Sequence, residues 1–387
     1  MLIEVALVSE QTLANLLPAL HERPDRVLLV ASAEMARRGL DVRQRRLLAH
    51  FGIEAEVVPG APDADLARIH EFALDLLGHL QARHPGAALV LNATGGNKLM
   101  MLGFVEVFRA DARIVYADTQ HGRIETLAAG GAAREAVPMR DVLNVPGYLR
   151  AQGFAYGGAR SDRVEELQAA AVRKPAAKHL GAHAGALGGL LGALNRLAAQ
   201  ALDPRGEQLV APVQVLDAVR SPDWRGALSA LNRCGALKWF GAEDIEFPDA
   251  EAARFCGGGW LEEFVWHTVR DARPHDARWS VRGRWEGGAE NEFDVLAAHR
   301  NRMLFVECKT LRLGADEGRD AELLYKLDSL GRLARGLFGV TWLVTAREPS
   351  AAMTERAREQ RIRIIGPVEL KRLPKRVLEW MGGPGAG

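Results

Sequence analysis

Five short apolar runs open the chain: LIEVALVS, DRVLLVAS, IEAEVV, AALVLN and ARIVYAD. Amphipathic stretches such as DADLARIHEFALDLLGHLQAR separate them. This β-α rhythm predicts a mostly parallel sheet with helices on both faces. Ligands of such sheets bind at the carboxyl ends of the strands, where the loops lie. The chain has 387 residues, enough for two or three separate cores. We expect boundaries that give 1–150, 151–250 and 251–387.

The stretch over 150–205 is rich in Ala, Gly and Leu and reads as a helical connector. Residues 208–250 read as two short helices and a strand-like end, either a small winged-helix-like module or a helical subdomain. From GGGWLEEFVWHTV onward come a helix, a strand pair and DAELLYKLDSLGRLARGLF, then VTWLVTA, MTERAREQRI and RIIGP, a second α/β unit of mixed topology.

Lys+Arg 50 against Asp+Glu 49 leaves a net charge of +1, so bulk charge predicts no polyanion partner. Cys234, Cys256 and Cys308 are isolated, without CxxC spacing, which suits a reducing cytoplasm. MLIEVALVSEQT has no basic leader region, and charged residues interrupt every long apolar run, so neither a signal peptide nor a membrane span is expected.

The segment NEFDVLAAHRNRMLFVECKT, residues 291–310, reads as a tight hairpin that turns at HRNR, 299–302. The register that segregates polarity sets Phe293 against Cys308, Val295 against Val306 and Ala297 against Leu304. On the other face it sets Glu292 against Lys309, Asp294 against Glu307 and Leu296 against Phe305. Two carboxylates so opposed repel unless something neutralises them. Mg²⁺ or Mn²⁺ would, since such ions sit on one or two carboxylates together with phosphate and water. Lys309 shares the face of Glu307 by the two-residue period. The alternative is a solvated hairpin face. A helix carrying Glu262 and Glu263 lies about thirty residues upstream.

This order resembles the PD-(D/E)XK nuclease superfamily, with its Asp, Glu-x-Lys and helix glutamate. The resemblance implies Asp294, Glu307 and Glu262 as metal ligands, with Glu263 the rival of Glu262, and Lys309 as the catalytic lysine. Lys326 of LLYKL is a candidate auxiliary residue, with an exposed helix lysine as the alternative.

In the first third, LVLNATGGNKLMMLGF reads as strand, Gly-rich loop and helix. Gly95 and Gly96 let the backbone approach a ligand closely, the helix start offers N–H groups to phosphate, and Lys98 adds charge. It is neither a Walker A motif nor GxGxxG. Ser9, Thr12 and Ser32 follow other strands and could equally cap helices. YADTQ ends another strand with Asp118 and Thr119.

Together these resemble a CARF domain, the CRISPR-associated Rossmann-like sensor of cyclic oligoadenylates. The family commonly has Thr where this chain has Asn97. The implied ligand residues are Ser9, Gln11, Thr12, Ser32, Met35, Thr94, Gly95, Gly96, Asn97, Lys98 and Asp118. CARF followed by a restriction-endonuclease-like domain resembles the CRISPR type III ancillary nucleases. That family implies a homodimer activated by cyclic tetra-adenylate, acting on single-stranded RNA or DNA, or nicking supercoiled DNA, in antiviral defence. The basic stretch RAREQRIRIIGPVELKRLPKRVLEW could track a phosphate backbone or simply solvate a helix face. Trp260, Trp266 and Trp285 could stack on bases, with core packing expected of Trp266. Two other readings stand beside this one: a ligand-responsive CARF-type nucleic-acid-binding regulator without catalysis, and a nucleotide-dependent metabolic enzyme that uses the Gly-rich loop.

Overall fold

The computed structural model describes residues 1–216, 221–310 and 339–382, and the chain divides into two units after Phe154. The first contains β1 (Leu2–Leu7), α1 (Thr12–Glu22), β2 (Arg26–Ser32), α2 (Ala33–Arg37), α3 (Leu40–His50) and β3 (Glu54–Ala61). After these come α4 (Leu66–Arg83), β4 (Ala88–Asn92), α5 (Lys98–Phe108), β5 (Ala112–Asp118), β6 (Arg123–Leu127), β7 (Ala133–Pro138) and α6 (Val145–Ala151). All five apolar runs are strands. They pair in parallel in the order β3-β2-β1-β4-β5, and β6 and β7 extend the sheet antiparallel. The order reverses direction between β1 and β4, which is where an open α/β sheet leaves a crevice.

Apolar residues recur on both sides of these central strands because helices cover both faces. Ile3, Val5, Leu7, Leu28, Val30, Leu89 and Leu91 face Ile69, Ala73, Met100 and Phe104 of α4 and α5.

The second unit contains β8 (Phe154–Ala159), α7 (Val164–Ala201), β9 (Val213–Val215), α8 (Pro222–Arg233), β10 (Lys238–Trp239), β11 (Asp244–Glu246), α9 (Ala250–Arg254) and α10 (Trp260–Asp271). Then come β12 (Asp276–Trp285), β13 (Glu290–His299), β14 (Arg302–Lys309), β15 (Gly339–Thr345), α11 (Ala351–Glu359), β16 (Ile362–Ile365) and α12 (Leu373–Gly382). Its six-stranded sheet runs β16-β15-β14-β13-β12-β8, antiparallel through β12-β13-β14 and parallel from β14 to β16. The connector is a single helix of 38 residues, α7, whose leucines and alanines pack on α8, α10 and the inner sheet face.

Over 208–250 the sequence predicts two helices. The described residues give one helix of twelve residues, α8, and a three-stranded sheet ordered β10-β11-β9. No helix of the described residues is long and apolar enough to cross a membrane.

Candidate active site and ligand loops

The β13–β14 hairpin turns where the sequence predicts. His299 pairs with Arg302, and Arg300 and Asn301 hold φ of 50° and 57°. Two successive left-handed residues make the turn whose twist suits a two-residue hairpin. The predicted register follows from Ala298–Met303 to Val295–Val306. Val295, Ala297, Leu304 and Val306 enter the large core, while Leu296 and Phe305 lie on the opposite face.

Beyond Val295 the predicted pairs give way to side-chain contacts. The Asp294 carboxylate accepts the Cys308 N–H at 2.6 Å. Lys309 Nζ donates to Glu307 Oε1 at 2.6 Å, on its own strand, rather than to Glu292. Glu292 instead accepts from Ser280 Oγ at 2.5 Å and from Arg282 Nε at 3.1 Å. The Phe293 ring sits 5.7 Å from that of Phe305.

Burial, with Glu307 and Glu262 close by, holds the Asp294 carboxyl well above its ordinary range. Burial, together with the charge of Glu292, pushes Glu262 up to about 7 against the opposing pull of Trp279, Lys309 and Arg160. Burial would lower Lys309, but Glu307 and Asp294 outweigh it, so the ammonium keeps its proton. Cys308 is buried, and burial plus these acids push its thiol up, so it is packing rather than a nucleophile.

Glu262 reaches the cluster because of what precedes it. The chain enters α10 through a wide turn, Phe255–Gly259, with Gly258 at φ 146°. A Cβ there would lie 2.7 Å from Thr310 Oγ1, so only glycine lets α10 start against the end of β14. Glu262 then accepts from Trp279 Nε1 at 3.3 Å.

Its neighbour Glu263 points elsewhere. It is 2% exposed and takes Arg173 Nε at 2.9 Å and NH2 at 2.5 Å. Trp279 is itself clamped: the Arg160 guanidinium lies 4.4 Å over its ring, and Ser161 Oγ accepts its N–H at 3.0 Å.

Asp294, Glu307, Glu262 and Lys309 are therefore brought together, and Glu263 is left out. Hard oxygen donors beside an ammonium suit Mg²⁺ or Mn²⁺ in chemistry. Among the described residues no trio of His, Cys, Asp or Glu is already gathered at ligand distance. Glu307 is engaged by Lys309, Asp294 by Cys308 and Glu262 by Trp279. A cation would have to take Glu307 from Lys309.

In the first unit the predicted loop residues lie at the carboxyl ends of β1, β2, β4 and β5. A Cβ on Gly95 would lie 2.0 Å from Leu7 O and 2.2 Å from Asn15 Oδ1, so the loop rests directly on the β1 backbone. Thr94 Oγ1 accepts the Ala117 N–H at 2.9 Å. Asn97 caps α5, with Oδ1 accepting from Leu99 and Met100 N–H at 2.9 Å each. Two of the N–H groups expected to be open to phosphate are thus taken by the chain itself.

Ser32 Oγ caps α2 through Met35 N–H at 3.4 Å, while Gln11 begins α1 without a side-chain cap and Thr12 is buried. Asp118 is bonded by His121 and Arg123. Lys98 is exposed at the start of α5. The Ser9 hydroxyl oxygen is shielded and has no protein partner.

Below this loop lies a polar network that sequence reading missed. Asn92 Nδ2 donates to Glu4 Oε1 at 3.0 Å and to Asn15 O at 2.9 Å, and its Oδ1 accepts Thr94 N–H at 3.1 Å. Asn15 Nδ2 donates to Leu7 O at 2.6 Å. Glu4 is fully buried, and burial raises its carboxyl to about 8.

Trp279 and Ser280 were also missed, since nothing local in RWSVRG marks them, and Glu292 was set against Lys309 rather than Ser280. Trp260 and Trp266 are core, each 1% exposed, so neither is a base-stacking surface. Trp285 is half-buried and donates Nε1–H to Asn291 Oδ1 at 2.9 Å. In the basic C-terminal stretch, Arg358 pairs with Glu355, and Arg376 with Glu369 and Glu379. Lys326 lies outside the described residues.

Residues 3–148 match the family described as the Card1 CARF domain, and 249–382 match that described as Card1-like, endonuclease domain. Protein VC1899 from Vibrio cholerae is similar over 100% of this chain and 99% of its own, with TM-score 0.84 and 23% identity. Can2 from Sulfobacillus thermosulfidooxidans, solved with cyclic tetra-adenylate, is similar over 98% and 99%, with TM-score 0.72 and 23% identity. A type III CRISPR defence DNA nuclease activated by cyclic oligoadenylate is similar over 97% of this chain and 52% of its own, with TM-score 0.56 and 20% identity. At these identities the likeness is one of fold. No curated protein matches the sequence.

Proposed function

The chain joins a Card1 CARF domain to a Card1-like endonuclease domain, and on that premise we propose that it is a metal-dependent nuclease switched on by a cyclic oligoadenylate. The observation that carries the reading is the enclosed cluster of Glu262, Asp294 and Glu307 beside Lys309. Three acids packed so that burial raises Asp294 and Glu262, with Glu307 and Glu262 adding repulsion at Asp294 and Glu292 adding it at Glu262, are poorly arranged for stability alone. A divalent cation held by Asp294, Glu307 and Glu262, Mg²⁺ or Mn²⁺, would polarise the scissile phosphate and lower the pKa of a bound water.

The chain's own residues do the rest. Cys308 N–H fixes one Asp294 oxygen, and Trp279 orients Glu262. Lys309 keeps its charge and, once released from Glu307, faces the negative charge that develops on the phosphate.

In the first unit, the ligand we assign to the loops is a cyclic oligoadenylate, with cyclic tetra-adenylate as the leading candidate because Can2 was solved with it. Ser9, Gln11, Thr12, Ser32, Met35, Thr94–Lys98 and Asp118 line the carboxyl edge of the parallel sheet. The unpartnered Ser9 hydroxyl and the exposed Lys98 are groups that a phosphodiester ring could satisfy. A ligand with rotational symmetry suits a two-fold homodimer, in which the same loops contribute twice. Activation then requires the ring to bind the cleaving arrangement more tightly than the resting one.

The test is cleavage of labelled single-stranded RNA, single-stranded DNA and supercoiled plasmid, with Mg²⁺ or Mn²⁺, with and without cyclic tetra-adenylate. Cleavage should need both metal and ring. Glu307→Ala with Lys309→Ala should abolish it and leave ring binding intact. Cleavage retained by that double variant would overturn the assignment.

A further inference from the structure

Ser280 lies in the middle of β12 with φ of +52°, and it is 2% exposed. A left-handed conformation in a strand is rare for any residue with a side chain and persists only where its surroundings impose it. The β12–β13 register sets Trp279 against Val295 and Val281 against Phe293. The residue facing Ser280 is therefore Asp294.

Three features show what the kink does. Strict alternation would put Phe293 on the face of Val295, yet its ring meets Phe305 on the other face, so alternation is reset between 293 and 295. The residue at the reset is Asp294, whose carboxylate takes the Cys308 N–H at 2.6 Å. Glu292, on the far side of the reset, is drawn onto Ser280 Oγ and Arg282 and leaves Lys309 to Glu307.

We propose that Ser280 is a positioning residue for cleavage: its left-handed backbone breaks the side-chain alternation of β13 at Asp294 and so presents that carboxylate to the cation site. The inference rests on the nuclease reading above. It assigns the role to backbone conformation, with the hydroxyl serving to restrain Glu292.

The full-length chain is compared with Ser280→Gly, Ser280→Asn, Ser280→Ala and Ser280→Val. Cleavage is measured with Mn²⁺ and cyclic tetra-adenylate, and Mn²⁺ binding alone by titration calorimetry. Glycine takes positive φ freely and asparagine tolerates it, so both should keep kcat within about threefold of the parent although neither carries the hydroxyl.

Valine should lower kcat about 30-fold or more with KM nearly unchanged, as misplacement of a reacting group does. It should also weaken Mn²⁺ binding about tenfold. Alanine should fall between, and it decides the matter against asparagine if the valine variant does not fold. Wild-type kcat and Mn²⁺ binding in the alanine and valine variants would overturn the proposal and leave the nuclease reading standing. So would a glycine variant as impaired as valine, which would place the effect in the hydroxyl. A parent chain that neither cleaves nor binds Mn²⁺ would overturn both, and would be recognised because every variant matches it.

Discussion

The loop edge of the first sheet and the acid cluster of the second are both buried polar sites, but they treat polarity in opposite ways. Under the Gly-rich loop, Asn92 donates to Glu4 and accepts from Thr94, Asn15 donates to the β1 backbone, and Glu4 is kept neutral by burial. In the nuclease unit, three carboxylates, each with a donor of its own, are packed together with one lysine, and burial raises two of them. A neutral hydrogen-bonded network holds a shape. A cluster of like charges stores repulsion that a cation can release. The first suits a surface that must be ready before its ligand arrives, the second the cation site proposed above.

The largest effect that would break this contrast comes from Asp294→Asn. If the repulsion is functional, the variant should lose cleavage by about 10³-fold. Without metal, its nuclease unit should be more stable by about 1–3 kcal/mol, because a like charge has left a buried cluster while Asn can still accept from Cys308. Thermal unfolding with and without Mn²⁺ reads both signs. A less stable variant would mean that the acids are already satisfied and that the two regions do not differ as described.

Next in size is Gly95→Ala. Its Cβ would meet the backbone oxygen of Leu7, so the loop must move, and cyclic tetra-adenylate should bind about 100-fold more weakly. Mn²⁺ binding should not change. Equal weakening of both would merge the two sites into one.

Glu262 and Glu263 sharpen the contrast within a single helix. Glu263→Ala strands Arg173 in the core and should cost about 3–5 kcal/mol of stability, with kcat in the folded protein within about threefold. Glu262→Gln should do the reverse, lowering kcat about 100-fold with little loss of stability. Chemical denaturation and single-turnover rates separate the two.

That pair also marks how far the sequence could be read. Adjacent residues on a helix point about 100° apart, and either could serve until the packing partner is known. Arg173 lies ninety residues away and has no local signature. The hairpin was legible because its information is local: polar segregation fixed the register, and HRNR fixed the turn. Five of the seven strands of the first sheet were legible as short apolar runs, and the antiparallel β6 and β7 were not. Ser280 was not, because a serine in RWSVRG carries none of the signal that a glycine at positive φ would. Lys309 was set against Glu292 by extending a regular ladder past the point where the Ser280 kink ends it. Glu4 was hidden for a related reason. In LIEVAL it reads as the solvent side of a strand, and only the central place of β1 in a doubly covered sheet buries it.

Glu4 gives the smallest effect and the one with a pH sign. Its carboxyl is raised from 4.5 to about 8 in the folded protein. Below 4.5 the folded and unfolded chains both hold the proton and Glu4 contributes no pH dependence. Between 4.5 and 8 the unfolded chain gives the proton up while the folded chain retains it. Stability therefore falls as pH rises, by at most about 1.4 kcal/mol per unit, and levels off once the folded group also ionises. Glu4→Gln has no proton to retain and can still accept from Asn92 through its carbonyl oxygen. It should match the parent at pH 4 and exceed it by about 2 kcal/mol at pH 8, as read from the unfolding transition of the CARF unit. If Glu4 is instead ionised and well hydrogen-bonded at neutral pH, the order at pH 8 reverses and the glutamine variant is the less stable. The network under the ligand loop would then be holding a charge, as the nuclease cluster does.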